Sequence, residues 1–247
     1  MFCISIDTEL LWGRKDLDHS KFVTKVKKER DIIKKLLNLF NKYNTPVTWA
    51  IVGKLYEKGD LLWSGVDIIQ SIKQAKIHEL ASHSYTHEDF TKISASEAKI
   101  EFSKPKAYSF VFPRNHIAHL PLLKKAGFST YRGRDKSEYE LLIPKVPPTG
   151  TCRQRQGLIE IPSSMYFVSA RGIRSYIPFG VRYQKSKLGI NQAINRKEIF
   201  HLWFHPIDLV DNSANLLSEL EMILKYAHKM RQNKLLEIKT MEQIAKC

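Results

Sequence analysis

The feature that most constrains this chain is an alternation. Short apolar runs stop at a polar residue, and each is followed by a longer segment of helical periodicity. "MFCISID" alternates and halts at Asp7, the pattern of a first strand. From about Lys25 to Lys42, Val26, Ile33, Leu36, Leu37 and Phe40 recur at helical spacing among Lys, Arg and Glu. That spacing predicts an amphipathic helix closed by "NKYNTP". "PVTWAIVG" (Pro46–Gly53) reads as a buried strand, "VDIIQSIKQA" (Val66–Ala75) as a second helix and "HELASH" as a short extended segment. A helix over roughly 94–104, a strand over "YSFVFPRN" (Tyr108–Asn115) and a helix over "LPLLKKAGF" (Leu120–Phe128) follow. "LIEIPSS" and "IFHLWFHP" are further strands, Asn215–Met230 a long helix and "LLEIKT" (Leu235–Thr240) a last strand. The window Tyr131–Ile190 has weaker periodicity and several Pro and Gly, and reads as longer loops. Such alternation argues for a mainly parallel α/β fold.

The length of 247 residues fits a single α/β barrel, so one catalytic domain over 1–247 is expected. At 43% hydrophobic and 26% charged residues, a sizeable core is available and disorder is not the reading. Cys3, Cys152 and Cys247 are far apart and form no CxxC, so no disulfide framework or thiolate site is implied. The N-terminus lacks the basic and apolar regions of a secretory signal, and no run reaches the length of a membrane span. A soluble cytoplasmic protein is expected, with peripheral contact to a membrane through charge left open.

The formal charge is +15. Between Tyr131 and Ile190, eleven Lys/Arg face four acids, a local +7. A surface of that sign suits phosphate-bearing partners: a diphosphate-linked substrate, anionic lipid or nucleic acid. A merely solvated basic face is the alternative. No helix-turn-helix or aromatic-basic stripe supports nucleic acid.

Four strand ends carry polar chemistry: Asp7 with Glu9, then His83, then Arg114 with Asn115, then His205. In barrels the C-terminal strand ends build the active site. Asp7 and Glu9 are two apart, so on a continuing strand both point to one face. His83 and His87 are four apart, neighbours on a helix or tight turn. Two imidazoles and a carboxylate are a usual ligand set for catalytic zinc or a similar divalent ion, which leaves the second carboxylate to take a proton from water. Alone, either pair is weak: HxxxH is common on helix surfaces, and two acids at a strand end can be a cap.

In chain order, "ISIDTE", "HELASHSYTHEDF", "FVFPRN" and "HLWFHP" resemble the successive motifs of the polysaccharide deacetylase family, the metal-dependent carbohydrate esterases. The match runs from Ile4 to His205, and "HSYTH" fits the family's HSxTH metal motif letter for letter. "LLWG" and "FVFPRN" resemble a branch acting in surface-sugar biosynthesis. The resemblance implies a single distorted (β/α) barrel with an incomplete set of strands. It implies Asp7 as catalytic base, His83 and His87 as metal ligands and His205 as general acid. The family's second aspartate falls at Thr8, and Glu9, one residue on, is the candidate third ligand of a divalent ion, Zn2+ by expectation.

The family's third-motif arginine orients the catalytic aspartate. Here Arg114 follows Pro113 instead of preceding it, and either reaches the same place or contacts substrate. Glu160 and Asp208 are the candidates for the acid that tunes the late histidine. Trp12, close behind the first motif, is a candidate sugar-stacking residue, and Asn115 a candidate pocket residue. The implied reaction is removal of an N-acetyl group from an amino sugar that is nucleotide-linked, lipid-linked or part of a glycan intermediate. The alternatives are hydrolysis of another C–N bond, such as a formamide or cyclic amide, and a degenerate glycan-binding protein. Ligand histidines must be neutral, so activity is expected to fall at acid pH.

Overall fold

The computed structural model describes residues 1–134 and 146–247. Nine strands form one sheet: β1 (Phe2–Thr8), β2 (Thr48–Ile51), β3 (Glu79–Ser82), β4 (Ser109–Phe110), β5 (Thr130–Arg132), β6 (Arg153–Arg155), β7 (Leu158–Ile161), β8 (Met165–Tyr166) and β9 (Phe200–Phe204). Their order is β6-β7-β5-β4-β3-β2-β1-β9-β8. All neighbours are parallel except β6 against β7. The sheet curls into a distorted, incomplete (β/α) barrel. Its ends approach through one stretch of chain, since β7 pairs with β5 while β8, four residues on, pairs with β9. Between them the Ser164 amide donates to the His201 carbonyl at 3.1 Å.

Strand alternation sorts the side chains. Phe2, Ile4 and Ile6 of β1 and Phe200, Leu202 and Phe204 of β9 face outward into the main core. There they meet α1 (Val23–Lys42), α2 (Val66–Gln74), α5 (Val181–Arg196) and α6 (Ser213–Gln232). On α1 the buried Val26, Ile33, Leu36, Leu37 and Phe40 form one stripe at helical spacing, each worth about 1.5–3 kcal/mol when buried. A second cluster of Phe90, Phe102, Phe110, Phe112 and Phe128 packs α3 (Ala95–Glu101) and α4 (Leu120–Lys125) against β4. Inward, Cys3, Ala50, Ala81, Val111, Ile161 and Ile199 fill the lower barrel, and Met241 and Ile244 of α7 (Met241–Ala245) plug it. Above them the interior turns polar, beginning at Ser5 and Asp7.

Two expectations need correction. Besides the expected strand at Leu158, the window read as loops holds β5, β6, β8 and the first part of the sixteen-residue α5. Its buried face is Arg182, Ser186, Gly189, Ile190 and Ala193, so the apolar stripe that marks a helix is nearly absent. Smallness is required there: a Cβ on Gly189 would lie 2.4 Å from the Phe200 ring. "LLEIKT" is not a strand but a single bridge, Phe2 to Ile238. It fills the edge of β1 below Ser5, where β2 has not yet begun.

Candidate active site

Ser5 and Asp7 project from β1 into the barrel, and Glu9 follows just past the strand end. Leu10, with φ 51°, turns the chain into a 3-10 turn over Leu10–Arg14. That turn folds back over Glu9: a Cβ on Gly13 would fall 1.7 Å from Glu9 Oε2, so a larger residue there would displace that carboxylate. His83 directly follows β3. Its Nδ1 donates to the Val111 carbonyl at 2.8 Å, which leaves the Nε2 lone pair aimed at Glu9 Oε1, 3.2 Å away. The protonation pattern is set by that carbonyl, which can only accept.

His87 is brought back by a tight turn, not a helix. Ser84 and His87 both have φ 64°, and the His87 amide donates to Ser84 Oγ at 2.9 Å. Glu101 of α3 ties the turn down, accepting from the Thr86 amide and hydroxyl at 2.9 and 2.6 Å. His87 Nε2 then lies 3.0 Å from the same Glu9 oxygen. Glu9, His83 and His87 each offer a ligand atom within 4.8 Å of the others, and all three are buried. Two neutral imidazoles and one carboxylate, one imidazole oriented by a backbone carbonyl, fit a divalent ion.

His205 follows β9 and its Nε2 stands 3.2 Å from Glu9 Oε1 and 3.8 Å from Asp7 Oδ2. Its Nδ1 donates to Asp208 Oδ2 at 2.9 Å. The Tyr166 hydroxyl donates to the same carboxylate oxygen. Of the two acids considered as partner for His205, Asp208 is the one in contact. Glu160 instead accepts from the Tyr131 hydroxyl at 2.6 Å.

The guanidinium that reaches Asp7 is Arg132, not Arg114. Arg132 ends β5, is buried, and donates to both Asp7 oxygens at 2.7 Å. It also donates to Ser5 Oγ at 3.0 Å and Asn115 Oδ1 at 3.1 Å, and lies over the Trp203 ring at 4.4 Å. Arg114 has φ 57° and turns outward to pair with Asp16 at 2.8 Å. Beneath Ser5, His201 donates from Nδ1 to the Pro162 carbonyl at 3.0 Å, so its Nε2 accepts from Ser5 Oγ at 2.9 Å. Burial pushes the His201 pKa down to about 3, which keeps it neutral.

The charges follow. Burial raises the Asp7 pKa, but the adjacent Arg132 outweighs it and the net shift is downward. Burial likewise opposes ionisation of Glu9, and His87 and His205 overcome it, holding Glu9 well below the usual carboxylate range. Burial lowers the His87 pKa, the direction a neutral ligand needs. For His205 burial is outweighed by Glu9 and Asp208, so its pKa is raised well above the ordinary value. An ionised base and a protonated acid thus face each other.

Asp7, Glu9, His87 and His205 line a cleft of about 340 Å³ together with Gly13, Arg14, Asp16, Leu17, Arg114, Asn115 and Trp203. Asn115 is in it. Trp12 is not: its indole donates to the Trp63 carbonyl at 2.9 Å and packs edge-on to the Trp63 ring. The tryptophan of the cleft wall is Trp203. Of the basic window, Arg132 reaches the site, whereas Arg153, Arg155, Arg171 and Arg174 do not line the cleft. Lys136 and Lys145 of that window lie outside the described residues.

The family model described as polysaccharide deacetylase matches residues 23–108, which hold His83 and His87. A Mycobacterium smegmatis protein assigned as a polysaccharide deacetylase superposes with a TM-score of 0.74 at 15% identity, over 99% of this chain and 88% of its own. An allantoinase superposes at 0.72 with 10% identity, over 99% and 88%. A CE4 family pseudoenzyme from Bacillus anthracis superposes at 0.54 with 14% identity, over 99% and 65%. At these identities the likeness is one of fold. No curated protein matches the chain.

Proposed function

We propose, for a chain whose residues 23–108 match the polysaccharide deacetylase model and whose fold is that of deacetylase structures such as the Mycobacterium smegmatis one, that it is a metal-dependent hydrolase removing the N-acetyl group of an amino sugar. The carrying observation is one cleft in which the Glu9–His83–His87 cluster adjoins an arginine-held aspartate on one side and a histidine held by Asp208 on the other. Glu9, His83 and His87 would hold the ion, zinc by ligand type. Such an ion polarises a carbonyl and lowers the pKa of bound water toward about 7.

The chain's own residues supply the rest. Asp7 accepts the proton of the attacking water at Oδ2, the oxygen facing His205. Arg132 keeps that carboxylate ionised and fixes its plane with two parallel hydrogen bonds. His205 donates from Nε2 to the departing nitrogen, and Asp208 with Tyr166 holds its ring. Trp203 walls the sugar side and Asn115 braces Arg132. The products are a free amine and acetate. We place the substrate among nucleotide-linked or lipid-linked sugars or glycan intermediates of surface-sugar assembly on the cytoplasmic side. The single domain over 1–247 belongs to the same reading.

The test is acetate release by zinc-loaded protein from a panel of acetamido sugars, with metal content measured in parallel. Acetate with stoichiometric metal supports the reading. A second reading, hydrolysis of a formamide or cyclic amide, is favoured by one observation: Glu9 stands in for the aspartate expected at Thr8, a longer ligand that repositions the ion. Formate, or ring opening without acetate, would decide for it. Bound metal with no product from any amide would assign the chain to the non-catalytic relatives.

A further inference from the structure

The segment from Arg171 to Gly180, "RGIRSYIPFG", is the most exposed apolar feature of the described residues. Ile173 is 71% exposed, Tyr176 84% and Phe179 55%. Three large apolar side chains within seven residues are not scattered surface hydrophobes. Nor is the segment a loose loop. Its base is fastened by Arg182, buried beneath it, which ion-pairs with Glu219 at 3.0 Å. Arg182 also donates to the Val168 carbonyl at 2.9 Å and the Ser169 carbonyl at 3.3 Å. Gly172–Tyr176 is itself a 3-10 turn. A buried ionic strut therefore holds a firm platform whose tip points apolar groups at solvent.

Along the chain the setting is basic, although Arg182 is paired with Glu219 and Arg171 shares a pocket wall with Asp208 and Asp211. The 37 residues between Glu160 and Glu198 contain no Asp or Glu and seven Lys or Arg, two of them, Arg171 and Arg174, within the platform. The platform also adjoins the cleft. The Arg174 guanidinium lies 6.0 Å from the Tyr166 ring centre, and the Tyr166 hydroxyl is bonded to Asp208, the partner of His205.

We propose that Ile173, Tyr176 and Phe179 form an interfacial anchor that docks the mouth of the cleft on an anionic lipid surface. Apolar tips seat among acyl chains and headgroups while neighbouring arginines meet lipid phosphates. A protein partner is the lesser fit: none of the three side chains lines the cleft or the neighbouring groove of Arg171 and Asp208. This inference stands independently of the reaction assigned to the cleft.

The test is co-sedimentation of the full chain with phosphatidylcholine vesicles containing about a quarter phosphatidylglycerol, compared with pure phosphatidylcholine. A chain of charge +15 will adhere to anionic vesicles through charge alone, so the deciding variant keeps every charge: I173S/Y176S/F179S. The expected result is a loss of vesicle partitioning of more than about tenfold in the triple variant, with an unchanged circular dichroism spectrum and melting temperature. In Y176W, emission should shift to the blue on anionic vesicles. Equal binding by wild type and triple variant, or no binding by wild type, overturns the proposal. Self-association in the ultracentrifuge that the triple variant abolishes, without vesicle binding, assigns the face to a second copy and equally overturns it. If the triple variant unfolds, the Y176W shift alone decides, and its absence counts against the anchor.

Discussion

The two sides of the cleft treat chemically equivalent carboxylates in opposite ways. Asp7 and Glu9 are two residues apart and both buried. Asp7 meets one permanent cation, Arg132, whose fork uses both oxygens. Glu9 presents a single oxygen, Oε1, to three imidazole nitrogens at 3.0 to 3.2 Å. A guanidinium cannot leave or lose its charge, so the arginine side is a fixed electrostatic frame. Imidazoles can be neutral and can turn a lone pair toward an ion, so the histidine side can exchange protons for a metal. Ionisation of the base and occupancy by a cation are thereby separated within one cleft.

The largest expected effect lies on the histidine side. H83A or H87A should reduce zinc affinity by more than about 100-fold and abolish acetate release, read by calorimetry and by metal content. D7N should cut turnover by about 1000-fold while the metal stays bound. Loss of metal in D7N would reverse the roles given to the two carboxylates and break the comparison.

R132M leaves Asp7 buried without its partner, at a cost of about 3–5 kcal/mol and a fall in melting temperature of roughly 10 °C. The double variant D7N/R132M should recover much of that loss. If it does not, Arg132 acts mainly through packing on Trp203. D208N should lower kcat by about tenfold to a hundredfold with little change in KM, since Asp208 positions His205 and lies outside the substrate cleft.

The smallest effect concerns a third carboxylate. Glu29 is buried on α1 and its Oε2 has no hydrogen-bond partner. Burial, offset only in part by Arg14, pushes its pKa up to about 8. Its folded pKa exceeds its unfolded value, so its contribution to stability is full below about pH 4.5 and is lost as pH rises through 8. E29Q should therefore raise the melting temperature by a few degrees at pH 9 and leave it nearly unchanged at pH 5. Equal shifts at both values would show that Glu29 is ionised throughout.

What was legible in the sequence differs along the chain. From Met1 to His87 the strands reach seven and four residues, and α1 shows a clean stripe. Burial of one face writes itself into periodicity there, and Asp7, Glu9, His83 and His87 could be named. From Thr130 to Tyr166, β5, β6 and β8 are two or three residues long, too short for any period to appear. Arg132 sits in that arc, in "TYRGR", with no local mark that sets it apart from its neighbours. The arginine beside a recognisable motif, Arg114, does not reach Asp7 but pairs with Asp16 at the cleft wall. Trp12, close behind the first motif, packs on Trp63 while Trp203 lines the cleft: proximity in sequence to the first motif does not predict which indole turns inward.

The sequence by itself therefore determined the α/β class, the order of the strand ends and the two histidines whose spacing and company are local. Only the tertiary structure decided the partners. Arg132 and Asp7 are 125 residues apart, and Glu9 and His83 are 74 apart. Such pairs are chosen by barrel closure and by which alternate residue faces inward. A buried carboxylate must find a partner somewhere, but nothing in the local sequence says from which strand that partner will come.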